Sequence, residues 1–193
     1  MEKYKLTNES IESFGRTLYR IEALRDFGNV SKGDKGGYIE KEGNLSQEGG
    51  AWVYGDAMVY GDAWVFGDAR VSGDARVYGN ARVSGDARVY GDARVSGNAE
   101  VSGNAEVSGN ARVYGDAEVY GNAWVYGDAK VSSGYCFAYK EKDWEISEIE
   151  SGEGILLIRD YVEQEESKHI ITIDGKEIEL SEESFNNLKE QLN

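Results

Sequence analysis

The sequence predicts a mainly β chain built around a parallel β-solenoid, and three observations carry that prediction. From Ala51 to Ser132 the residues repeat every six without insertion, in thirteen complete hexads such as AWVYGD, ARVSGD and AEVSGN before a final AKVS. Fixed periods of this length mark repeat architectures. Within each hexad Ala and Val stand two apart, as in Ala51/Val53 and Ala129/Val131, so on extended backbone they face the same side. Each hexad then closes on Gly-Asp or Gly-Asn, the residue types that enter left-handed backbone most readily. Short strands joined by tight corners give a prism lined by Val and Ala, with the residues between them facing out. No hexad can bury its own Val, so the array is stable only as a stack.

The segments before and after the repeat are of other kinds. Residues 1–50 read as an N-terminal cap with degenerate first rungs. Lys3–Leu6 and Thr17–Leu24 suit strands, although Leu18, Ile21 and Leu24 also suit a short helix. Ile39 and Leu45, six apart in GYIEKE and GNLSQE, fit early rungs, and Gly49-Gly50 resets the register before Trp52. The cap is expected to cover the first coil and block edge pairing. Residues 133–193 read as a small acidic α+β unit. Its strands are expected at Tyr135–Tyr139, Trp144–Ile149 and Ile155–Ile158, followed by a hairpin of His169–Ile173 and Lys176–Leu180 about Asp174-Gly175. Ser181 then caps a helix over Glu182–Leu192, with Phe185, Leu188 and Leu192 on one face.

The hexads resemble the hexapeptide-repeat, left-handed β-helix family, in which three consecutive hexads make one triangular coil. Handedness and three-fold closure are implied by that resemblance. The stretch LYRIEALRDFGNV through GDKGGYIE to NLSQEGGAWVYGDA further resembles uncharacterised hexapeptide-repeat proteins of bacteria and their phages, some of which carry an acyltransferase label.

Composition narrows the classes of function. The 193 residues carry a net charge of −15, unevenly spread: nine acidic against eight basic residues in 1–50, eleven against seven in 51–132, sixteen against six beyond. Duplex nucleic acid is a poor partner for such a balance, since phosphate binding needs a basic footprint. One cysteine, Cys136, leaves no intramolecular disulfide and no cysteine-based metal site. The start lacks an apolar leader and no apolar run is long enough to span a bilayer, so a soluble, cytoplasmic chain without membrane contact is expected.

With three hexads per coil, outward side chains stack in columns. One face stacks Trp52, Arg70, Arg88, Glu106 and Trp124; a third stacks Trp64, Arg82, Glu100 and Glu118. The second face stacks Met58, Arg76, Arg94, Arg112 and Lys130 beside Tyr60, Tyr78, Ser96 and Tyr114. Four cations in one column, on rungs ~4.8 Å apart, call for acidic company. Three answers stand open: solvent with the corner carboxylates Asp74, Asp92 and Asp116; a neighbouring subunit, Arg94 and Arg112 meeting Glu100 and Glu118 in a three-fold assembly; or an anionic small molecule with a ring, held by Arg76, Arg94 and Arg112 and stacked on Tyr78 or Tyr114.

Catalytic readings find less support. Acyltransferases of similar fold place a histidine base at a subunit interface, whereas the one histidine here, His169, lies outside the coils. Zinc chemistry of the related carbonic anhydrases needs several histidines, and Cys136 as a nucleophile would need a base partner. The expectation is therefore a non-enzymatic homotrimer without cofactor or metal. It would hold an anionic, nucleotide-like small molecule in inter-subunit clefts and, in a phage setting, sequester a host signalling nucleotide. The alternatives are an adaptor that docks a protein partner through 133–193, and a hexapeptide-repeat acyltransferase.

Overall fold

The structure, a computed structural model, describes residues 2–138, 169–173 and 176–180. The chain forms two compact units, Met1–Ile158 and Arg159–Asn193.

In the first unit the hexads fold as three parallel sheets. Each rung is a short strand paired with the rung three hexads on, as in Arg94↔Arg112 and Val95↔Val113. The stack makes a β-solenoid of about five turns. Backbone donors go to the next coil: Arg94 N–H to the Ala111 carbonyl at 2.9 Å, Ser96 to Val113 at 2.9 Å, Asn98 to Gly115 at 2.7 Å. The ladder partners of a rung therefore lie one coil away, which is why the fold cannot exist as a single coil.

Val and Ala of the hexads fill the interior, every one between fully buried and 2% exposed. The corners explain the glycines. At Gly97 φ is +71°, and a Cβ would stand 2.7 Å from the Gly115 backbone nitrogen, so only glycine fits both the turn and the stacking distance. Beside them the corner amides form ladders: Asn80 donates to Asn98 at 3.0 Å, and Asn98 to Asp116 at 2.8 Å. On this corner Asn80 and Asn98 separate Asp62 from Asp116, whereas Asp56, Asp74 and Asp92 follow one another on another corner.

The N-terminal cap is part of the same body. β1 (Tyr4–Ser13) and β2 (Arg16–Ala23) form an antiparallel hairpin, and β2 pairs antiparallel with β3 (Lys35–Ile39). β3 then pairs parallel with Met58–Val59, so the cap extends one solenoid sheet to eight strands. Thr17–Ala23 thus falls on a strand rather than a helix, and Leu24 lies just past its end. Ile39 lies opposite Val59 and Leu45 opposite Val65, both buried, as the early rungs expected of them. The steps from Ile39 to Val59 and from Leu45 to Val65 are longer than the step from Val53 to Val71. The segment before Trp52 therefore carries the change of register.

The structure corrects one column. Trp52, expected outside, is 1% exposed. No earlier rung precedes it on its face, and the cap folds over it, with Tyr4 and Phe27 meeting its ring edge-on at 6.1 and 5.3 Å. Under the same roof lies buried Lys3, whose amine donates to the Ala51 carbonyl at 2.9 Å and the Glu48 carbonyl at 3.3 Å. Burial, with Arg25 nearby, lowers its pKa to about 8.

At the other end Tyr135–Ala138 adds a rung beyond Ser132, with Cys136 opposite Val119. In the second unit His169–Ile173 and Lys176–Leu180 pair antiparallel, Ile173 opposite Lys176, as the Asp174-Gly175 signal implies. The strands expected at Trp144–Ile149 and Ile155–Ile158, the turn residues themselves and the helix Glu182–Leu192 lie outside the described residues.

Candidate functional site: a cation column beside a tyrosine ladder

The second face carries the groove. Its rungs stack Met58, Arg76, Arg94, Arg112 and Lys130 in strict register. Two positions along each rung, on the same side, run Tyr60, Tyr78, Ser96 and Tyr114. The two columns line a shallow groove of about 380 Å³, formed by Tyr78, Arg94, Ser96, Arg112, Tyr114 and Lys130.

Four of the five ligand residues expected from sequence meet there: Arg94, Arg112, Tyr78 and Tyr114. Ser96 and Lys130 join them. Arg76 stands one rung higher, its guanidinium over the Phe14 ring at 5.0 Å. Phe14 is the residue that sequence reasoning missed. It sits at the tip of the β1–β2 hairpin with φ +54°, a conformation few aromatic residues adopt, and it stacks on Tyr60 at 5.6 Å. Tyr60 in turn stacks on Tyr78 at 5.1 Å with the rings 4° from parallel. The hairpin therefore covers the upper half of the face, and the groove opens where its cover ends. Serine, phenylalanine and glycine at 13–15 are the only local signal for that turn.

Electrostatics separates this face from the others. On the third face Arg82 and Glu100 approach to 3.4 Å, and on the first Arg88 and Glu106 do the same. Among the described residues no carboxylate comes within ion-pair distance of Arg76, Arg94, Arg112 or Lys130. The corner carboxylates Asp74, Asp92 and Asp116 do not pair with them; Asp116 instead accepts from Asn98. Stacked cations without counter-charge repel one another, and an anion in the groove would relieve that repulsion. Of the residues expected at a subunit contact, Glu100 and Glu118 stand in register on adjacent rungs of the third face. Burial raises the pKa of the Tyr60 hydroxyl, and the charges of Arg76 and Arg94 pull it back, so the column's field reaches the ladder.

The groove's lining contains neither cysteine nor histidine. Cys136 is buried and its thiol pushed up to about 12, the opposite of an activated nucleophile. His169 lies in the hairpin of the second unit, opposite Leu180. Among the described residues no three His, Cys, Asp or Glu side chains gather to hold a metal ion.

Residues 51–67, 69–85, 75–91, 81–97 and 87–103 match the YdcK β-solenoid repeat model. Among curated proteins none matches the chain. The matched windows fall within the hexads and share the solenoid's register; they bear on the repeat and leave the cap and the acidic unit aside. Fold and repeat together show a β-solenoid built of repeats, with the model's match confined to part of the coils.

Proposed function

We propose that the chain is a non-enzymatic binding protein whose second face holds an anionic, nucleotide-like small molecule. The observation that carries the reading is the column of Arg94, Arg112 and Lys130, without carboxylate partners among the described residues, beside Tyr78 and Tyr114 in one groove. Arginine forks suit phosphate or carboxylate, and flanking rings suit a planar group. The groove is open along one side. A homotrimer would wall it with the third face of the partner subunit, setting Glu100 and Glu118 at its rim. In a phage or bacterial cell such a protein would act by sequestration, keeping a signalling nucleotide from its receptor.

The test is release of ligand. Wild-type protein purified gently and then denatured should release an anionic compound absorbing in the near ultraviolet, identifiable by mass spectrometry. The Arg94→Glu/Arg112→Glu double variant should fold and release none. Equal release from both would remove this site.

The acidic balance of 133–193 favours a second reading, an adaptor that docks a basic protein partner. Deleting 133–193 should then abolish partner capture and leave groove binding intact. Acyl transfer has less behind it: the coils 51–132 contain no histidine.

A further inference from the structure

We propose that Ser96 marks a vacant rung in an aromatic ladder, and that a planar ring of the ligand fills it between Tyr78 and Tyr114 while its anionic group lies against Arg94, Arg112 and Lys130. The inference rests on the anion-binding reading above and specifies its ligand as a ring joined to an anion.

The ladder defines the vacancy. Phe14, Tyr60 and Tyr78 stack in sequence, at 5.6 and 5.1 Å between ring centres. The next rung holds Ser96, whose side chain ends after one oxygen, and the rung after it holds Tyr114. Among the described residues Tyr78 thus has a ring on one side only. Tyr114, 40% exposed, has no ring against it among the described residues. Two rungs separate them, about 9.6 Å. A planar group midway would lie about 4.8 Å from each, close to the spacing the ladder already uses between Tyr60 and Tyr78. The slot accepts one ring layer.

The cations stand where the other end of such a ligand would lie. Arg94 belongs to the same rung as Ser96 and, two positions before it, faces the same side; the two backbones are about 7 Å apart along the strand. Arg112 and Lys130 follow directly below. A ring at Ser96 and an anion at Arg94 are therefore joined by a linker the size of a pentose, which makes a nucleoside phosphate the simplest class to satisfy both ends. Stacking on two tyrosines tolerates any base, while the forks demand the phosphate.

The experiment measures equilibrium affinity for AMP, GMP, CMP and UMP against ribose 5-phosphate, which keeps the anion and lacks the ring. At least one nucleotide should bind about tenfold or more tightly than ribose 5-phosphate, the effect expected for base stacking. Ser96→Tyr should erase that preference by filling the rung, with ribose 5-phosphate still bound. This substitution copies the Tyr60–Tyr78 pair and is expected to fold. Tyr114→Leu, which removes the floor of the slot, should also lower the preference and serves as the second variant. Equal affinity of wild type for all five compounds would overturn the ring seat and leave the anion groove standing. A preference that survives both variants would overturn it as well. Failure of all five to bind would overturn both readings.

Discussion

Corner glycines from Gly61 to Gly109 lie close against the backbone of the coil stacked on them. Gly97 shows the cost of changing one. Alanine there would take a left-handed φ and press on the Gly115 nitrogen, so Gly97→Ala should destabilise the chain by about 2 kcal/mol or more, read from denaturant unfolding. Val95 is fully buried inside the prism, and Val95→Ala should cost about 2 kcal/mol through the cavity it leaves. Lys3 makes a prediction in pH. Unfolded, its amine keeps its proton to about pH 10.5; folded, it loses it near 8. Between these values the unfolded chain binds more protons, so stability rises with pH. Cys136, raised from 9 to about 12, works the other way above pH 9. Thermal unfolding should therefore move upward from pH 7 to 9 in the wild type, and Lys3→Met should lose that rise. A parallel rise in the variant would show that Lys3 is not its source.

At the scale of the element, the hexad and its triplet have different standing. A hexad is one side of the prism; three hexads are one coil. Removing Ala87–Asn104, one coil, joins Asp86 to Ala105 in register and brings Tyr78 directly over Tyr114. That deletion should keep the β circular-dichroism signal and cooperative unfolding while losing ligand binding. Removing a single hexad instead shifts every later side by one face and scatters the cation column.

This hierarchy is also what made the solenoid legible. Ala and Val at a fixed spacing declare the core, and Gly-Asp and Gly-Asn declare the corners; with the three-hexad coil that the family resemblance implies, Arg94, Arg112, Tyr78 and Tyr114 fall on one face. The cap was less legible because its roles are tertiary. Nothing local marks Lys3 for burial against Ala51, or Trp52 for a roof of Tyr4 and Phe27. Phe14 at φ +54° runs against the residue preferences from which turns are read, and it decides where the groove begins.

For the whole molecule, the central claim is that the second face holds an anion in a cleft completed by another copy of the chain. Native mass spectrometry of gently purified protein reads both parts in one spectrum. A trimer, or a multiple of it, carrying one added anionic mass per interface is expected, with the added mass absent from Arg94→Glu/Arg112→Glu. A bare monomer would contradict the cleft and the ligand together, and a trimer whose added mass survives the double variant would contradict the assignment of the groove.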